Sequence, residues 1–407
     1  MAKITKILGR QVLDSRGNPT VEAEVFTENY SARAIVPSGT STGTHEALEL
    51  RDGGKEYHGQ GVTKALENVT RIGKMLTGKD VTNQKEIDFM MIQLDGTDEK
   101  TVLGANAILA VSMACARVAA KEKGMELFEY LQTLTNRDMC LPTPYMNIIN
   151  GGMHADNALD FQEYMIVPQG KTFAESLRIG AEVYQQLKKV LKQKNLSTGV
   201  GDEGGFAPDL ESYEEPIKLI LEAVKELGYQ GKVKIAMDIA ASDFYNKGKY
   251  TVEGKELTSD ELSDLYCKLI KKYPIISIED PFDEEDFAAF AKFTKENRDK
   301  IQVVGDDLLV TNVDRIRKAM DVGACNALLL KVNQIGTLLE AIKAAELAFR
   351  NDWKVMVSHR SGETEDTFIA DLAVALGTGQ IKTGATCRGE RTAKYNRLLR
   401  IEEKLKK

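Results

Sequence analysis

With 407 residues, 43% of them hydrophobic and 28% charged, the chain exceeds one average domain and has the composition of an ordinary soluble globular protein. Its net charge of -7 and pI near 5.5 argue against a general nucleic-acid binder and make a small molecule the expected partner.

The start, MAKITKILGR, lacks the unbroken apolar run of a signal peptide, so no export signal is expected. Alternating Val21, Ala23 and Val25 beside the turn at Asn18-Pro19 predict a small antiparallel meander. Helical patterns follow to about Leu134. Their most apolar stretch, ANAILAVSMACARVAA from Ala105, is broken by Ser112 and Arg117, so no bilayer span is expected. The segment TNRDMCLPTPYMNIINGG, with Pro142 and Pro144, marks the best boundary. It divides the chain into a smaller α+β domain over 1–134 and a second domain over 135–407. Five scattered cysteines, never in CxxC spacing, suit reduced thiols in a cytoplasmic protein.

Beyond the boundary, short apolar runs at KIAMDIA, IISIED, IQVVGDD, ALLLKVN, KVMVSH and QIKT are each followed by a helical pattern. The clearest helix opens on Thr258 and Glu261 as a capping box, carries Leu262, Leu265, Tyr266, Leu269, Ile270 and Tyr273 on one face, and stops at Pro274. Alternating units of this kind bury a parallel sheet under helices, as a doubly wound sheet or as a closed barrel. Asp238, Glu279, Asp306, Lys331, His359 with Arg360, and Lys382 all fall at or near the carboxyl ends of successive strands, where a (β/α) barrel places its chemistry. No glycine-rich phosphate turn follows a strand, which disfavours the doubly wound alternative.

Asp238, Glu279 and Asp306 make a hard oxygen site suited to Mg²⁺; salt bridging inside the barrel is the plainer alternative. Lys331, on a buried strand near a cation, has its pKa lowered and serves as a general base, or else neutralises one of those acids. Glu203, framed by glycines in GVGDEGGFAPD, is a carboxyl able to stay protonated and act as an acid, or simply part of a turn. Together these groups describe proton abstraction next to a carboxylate followed by elimination. The run VMVSHRSGETED, delivering His359, Arg360 and Ser361 from an apolar strand, calls for an anion.

Nine stretches, DSRGNPTVE, PSGTSTGTHEALELRD, NIINGGMHADNALDFQEYMI, GVGDEGGFAPD, SIEDPF, GDDLLVTN, KVNQIGTL, SHRSGETED and KTGATCRGERTAKYNRLLRIEE, resemble the enolase family in order and from end to end. The resemblance implies an enolase-type modified TIM barrel behind an α+β capping domain. It also implies reversible conversion of 2-phosphoglycerate to phosphoenolpyruvate with Mg²⁺, a lysine or histidine base with Mg²⁺ being the general pattern of the superfamily. By motif, Lys331 is the base, Glu203 the acid, and Asp238, Glu279 and Asp306 hold a first metal. Ser41 holds a second metal that binds with substrate. His154, Gln162 and Glu163 line the site, Lys382 contacts substrate, and Arg360 with Ser361 grips the phosphate. His359 suits two roles, a substrate-side donor or a packed strand-end residue. Glu363, Glu365 and Asp366 are expected to open the next helix, where acids complement its dipole.

The family further implies a homodimer or an octamer of dimers. A secreted or surface pool that binds plasminogen, or a place in an RNA-degrading assembly, is a secondary expectation. Met153 and Gly389 depart from the family's usual residues, polar and serine. A racemase or sugar-acid dehydratase of the same superfamily is the competing reading, but its KxK pair or His-Asp dyad is not evident.

Overall fold

In the computed structural model, which describes residues 1–40 and 43–406, the period-two start forms the expected meander. Strands β1 (Lys6–Leu13), β2 (Pro19–Phe26) and β3 (Ser31–Ile35) pair antiparallel in that order. Val21, Ala23 and Val25 are wholly buried on the face that packs against helices. Helices α1 (Thr63–Leu76), α2 (Gln84–Asp95), α3 (Ala105–Glu122) and α4 (Leu127–Gln132) complete this part. Ser112, the polar break in α3, is wholly buried and donates to Asp88 Oδ1 of α2 at 2.7 Å. Among the described residues no helix is long and apolar enough to cross a membrane.

The remainder closes on itself. Strands β4 (Thr143–Asn150) and β5 (Glu163–Pro168) precede α5 (Phe173–Gln193), α6 (Glu215–Glu226) and β6 (Val233–Asp238). A small sheet of β7 (Tyr245–Asn246), β8 (Lys249–Val252) and β9 (Lys255–Leu257) leads into α7 (Ser259–Lys272). Strand and helix then alternate as β10 (Ile275–Glu279), α8 (Phe287–Asn297), β11 (Gln302–Gly305), α9 (Val313–Val322), β12 (Ala327–Leu330), α10 (Leu338–Arg350), β13 (Lys354–Ser358), α11 (Phe368–Ala375), β14 (Gln380–Lys382) and α12 (Gly389–Leu405). The barrel order is β10-β11-β12-β13-β14-β4-β5-β6. Its strands pair in parallel except that β5 runs antiparallel to both β4 and β6.

The six apolar runs are β6 and β10 through β14, and β4 and β5 complete the ring. They are hidden in the sequence because Pro142 and Pro144 read as turn punctuation and Gln162-Glu163 interrupts the apolar pattern. Pro144 sits near the start of β4, in register with Ile381. Helix α7 has its capping box, with Thr258 accepting from the Glu261 backbone and the Glu261 side chain returning to Thr258. One expectation fails. Helix α11 starts only at Phe368, so Glu363 and Asp366 precede it; Asp366 Oδ1 still accepts from the Phe368 backbone at 2.8 Å, while Glu363 serves another element. Asp366 accepts both guanidinium nitrogens of Arg117 from α3, and Glu363 pairs with Lys394 of α12.

Strand alternation decides where chemistry can sit. Tyr145, Met165, Val167, Ala236, Val304, Ala327, Leu329 and Met356 form an apolar cluster of their own inside the barrel. Two residues further toward the mouth, the inward positions become Asn147, Glu163, Asp238, Asp306, Lys331 and Ser358.

Candidate active site

The register lines up Glu163, Asp238 and Glu279 on three neighbouring strands, since Glu163 pairs with Asp238 and Asp238 with Glu279. All three are buried, and Lys382 from the end of β14 stands among them. Its Nζ is 2.8 Å from Asp238 Oδ2, 2.8 Å from Glu279 Oε1 and 3.1 Å from Glu163 Oε2. Burial pushes Glu163 and Glu279 well above the usual carboxylate range, with Glu203 and Asp238 respectively adding to the push. Burial would lower Lys382, but the three carboxylates outweigh it and hold the amine well above its ordinary value. Gln162 completes this wall, its Nε2 3.5 Å from Asp238 Oδ2.

Lys331, just past β12, donates to Asp306 Oδ2, and Gln334 Nε2 donates to the other oxygen, Oδ1, at 2.9 Å. The sequence suggests a depressed lysine here. Burial does act that way, but the Asp306 carboxylate against the amine outweighs it and leaves Lys331 raised. Asp280, at a left-handed φ of 40°, accepts from the backbones of Asp306 and Asp307 at 2.9 and 2.7 Å and so shapes the loop that presents Asp306.

Glu203 faces the cavity from the glycine-framed loop. Gly204 beside it has φ +83°, and a Cβ there would stand 2.8 Å from the Cys387 carbonyl oxygen. Glu203 Oε2 accepts from Asn147 Nδ2 at 2.9 Å, while Oε1 lies 3.2 Å from His359 Nε2 and 3.7 Å from His154 Nδ1. Burial favours a protonated carboxyl, but the neighbouring His359 and His154 imidazoles and the Arg391 guanidinium hold Glu203 well below the usual range. That direction runs against the protonated acid the sequence suggests. Burial also lowers His154, and it takes His359 down to about 3.

Arg360 is buried and bound by Glu46 through two contacts, NH1 to Oε2 at 2.8 Å and NH2 to Oε1 at 3.0 Å, with Asn333 Oδ1 at 3.2 Å from NH1. Gly39 approaches the guanidinium so closely that any Cβ would collide with it. Ser361 Oγ accepts from the Thr40 backbone at 2.8 Å, and Ser38 and Gly362 exchange two backbone hydrogen bonds of 2.7 and 2.8 Å. The first domain thus docks on the turn that carries Arg360 and Ser361. Ser41, expected to hold a second metal, lies outside the described residues.

His154, Gln162, Glu163, Glu203, Asp238, Asp306, Lys331, His359, Arg360, Ser361 and Lys382 line one cavity, and Glu279 reaches it through Lys382. Its donors suit a hard divalent cation: they are carboxylates, and Glu279 Oε2 is buried without a hydrogen-bond partner. The predicted trio is nevertheless not the tightest grouping. Among the described residues, ligand atoms within 4.8 Å of one another come from Asp280, Asp306 and Asp307, and from His154, Glu163 and Glu203. Lys382 and Lys331 occupy the carboxylates of Asp238, Glu279 and Asp306 instead.

Family models cover both parts of the chain. Residues 4–131 match the model of the enolase N-terminal domain, and residues 138–407 match that of the enolase C-terminal TIM barrel domain. The chain belongs to the enolase family. It is 57% identical to the enolase of Thermococcus gammatolerans over 99% of this chain and 95% of that one. It is 58% identical to the enolases of Methanopyrus kandleri, over 100% and 96%, and of Methanocaldococcus jannaschii, over 99% and 96%.

Both departures from the usual enolase residues are sterically idle. Met153 is 56% exposed, and a Cβ on Gly389 would meet nothing within 4 Å. Glu46, Asn147, Gln334 and Arg391 hold the residues that line the site, through Arg360, Glu203, Asp306 and His359 respectively, without having been singled out from the sequence. All four sit inside the motifs PSGTSTGTHEALELRD, NIINGG, KVNQIGTL and KTGATCRGER, but only spatial neighbours reveal what each one holds.

Proposed function

We propose that this enolase-family chain reversibly dehydrates 2-phospho-D-glycerate to phosphoenolpyruvate and water, as a cytoplasmic hydro-lyase of glycolysis and gluconeogenesis. The observation that carries the reading is that Lys331, Glu203 and Arg360 line one buried cavity, so a base, an acid and an anion grip face the same small molecule. Residues 135–407 supply the barrel, and residues 1–134 form a cap whose loop carries Gly39, Thr40 and Glu46 onto it.

Arg360 offers a planar fork matched to phosphate oxygens, with Ser361 beside it, while Lys382, His154, Gln162 and Glu163 orient the carboxylate end. Lys331 Nζ takes the proton from the carbon next to the carboxylate. Glu203 gives a proton to the departing hydroxyl, so that one C–H and one C–O bond break and water leaves. Mg²⁺ held by Asp238, Glu279 and Asp306, with a second ion entering with substrate at Ser41, would offset the substrate's negative charge and draw those carboxylates away from the two lysines. Burial, Arg360 and Lys382 all act to lower Lys331, so drawing Asp306 away would move its amine toward the neutral form a base needs. The anionic substrate raises Glu203 by like-charge repulsion, which loads the acid. Family resemblance supports a homodimer or an octamer of dimers.

Metal-stripped protein given 2-phosphoglycerate should form the enol phosphate, followed by its absorbance, only after Mg²⁺ is added. Metal titration with substrate present should show two binding events. Absent turnover overturns the activity, and full turnover with a single bound ion overturns the two-ion reading.

A further inference from the structure

Arg391, on the first turn of α12, is wholly buried and touches neither cavity nor solvent. Its NH1 donates to His359 Nδ1 at 2.7 Å and to the Arg360 carbonyl at 2.6 Å; its NH2 donates to the carbonyls of Ser361 at 2.6 Å and Asp202 at 2.9 Å. All four terminal N–H bonds are thereby used. Their acceptors belong to three parts of the site: the loop that presents Glu203, the turn that presents Arg360 and Ser361, and the imidazole between them.

A guanidinium has donors and no acceptor, so His359 Nδ1 must offer its lone pair to Arg391. The single proton of the neutral ring then sits on Nε2, the nitrogen 3.2 Å from Glu203 Oε1. We propose that Arg391 is a positioning residue for the acid half of the reaction: it fixes His359 as the Nε2–H tautomer facing Glu203 and ties the Glu203 loop to the phosphate turn. His359 Nε2–H accordingly faces Glu203 Oε1 at 3.2 Å, a placement on the acid itself that goes beyond both a substrate-side donor and a merely packed side chain.

The consequence is directional. Once Glu203 has passed its proton to the leaving hydroxyl, the carboxylate left behind finds Nε2–H at one oxygen and Asn147 Nδ2 at the other, both already in place. No proton leaves His359 in this step. A lysine at 391 keeps the charge but carries its donors on one atom and cannot span the four acceptors. Lys331 makes no contact with Arg391, so proton abstraction should be affected less than departure of the hydroxyl.

The inference rests on Glu203 as the acid, and two measurements on the full chain test it. Histidine-selective ¹⁵N NMR of the unmutated protein, with His359 assigned by H359Q, should give a pyridine-like Nδ1 and a pyrrole-like Nε2. The reverse pattern overturns the proposal even if every Arg391 variant fails to fold. In Arg391→Lys and Arg391→Met, dehydration should fall about tenfold or more relative to exchange of the α-hydrogen with deuterated water. Equal loss of both would make Arg391 a general scaffold residue and overturn the proposal. Wild-type protein that performs neither reaction instead overturns the proposed function, while the tautomer still decides the placement of His359.

Discussion

Glu46 and Arg360 meet fork to fork, 2.8 Å from Oε2 to NH1 and 3.0 Å from Oε1 to NH2, although they are 314 positions apart in the chain. The pair joins a loop of the capping domain to the barrel turn proposed to hold phosphate. It also presents to Arg360 the planar anion that a phosphate would otherwise supply.

Glu46 should therefore compete with anions for Arg360. Glu46→Gln keeps the shape but removes the charge, and should bind inorganic phosphate more tightly by about 1 kcal/mol, the scale of one hydrogen bond. Calorimetry on the metal-stripped protein measures this. Unchanged or weaker binding would show that Glu46 supports the site without competing for it.

Lys331 and Glu203 should separate the two halves of the reaction. Lys331→Ala is expected to lose both dehydration and exchange of the α-hydrogen with deuterated water. Glu203→Gln is expected to lose dehydration and keep exchange, because the proton can still leave and return. The opposite assignment of the two phenotypes would reverse the roles.

Lys394 is wholly buried, donating to Glu363 at 2.7 Å and to the carbonyls of Thr364 at 2.6 Å and Glu390 at 2.8 Å. Lys394→Met leaves the Glu363 carboxylate buried without its cation and should cost about 3–5 kcal/mol. Adding Glu363→Gln should recover part of that loss in denaturant unfolding. A double variant no more stable than the single one would show that the charge pair is not the cause.

Asp88 gives a pH signature. Burial among helices raises its carboxyl to about 7, despite donors from Ser112, Gln84 and the Leu339 backbone. Between the unfolded value near 4 and 7 the folded chain holds a proton that the unfolded chain has released, so stability falls as pH rises through that window. The full contribution is about 4 kcal/mol. Asp88→Asn lacks this proton, so the wild type should lose stability relative to it between pH 4 and 7. A difference that grows in the other direction would mean Asp88 is ionised throughout.

Local pattern was enough to place the chemistry on a barrel. Asp238, Glu279, Asp306, Lys331 and Lys382 are legible because each ends a short apolar run, and strand alternation sends every second residue inward whatever surrounds it. The capping box of α7 is legible for the same reason, since Thr258 and Glu261 are three residues apart and complete each other. Strands β4 and β5 are not, because their apolar pattern is interrupted by prolines and by the polar site residues themselves. Nor is the start of α11, since Asp366 answers to Arg117, 249 positions away, and Glu363 to Lys394. The protonation states of Lys331 and Glu203 depend on which charges the fold brings alongside: Asp306 beside the amine, two imidazoles and Arg391 beside the carboxyl. Residue type and spacing along a chain set which groups can do chemistry, but a pKa, a tautomer or an ion pair is set by distances through space, and those exist only once the barrel has closed.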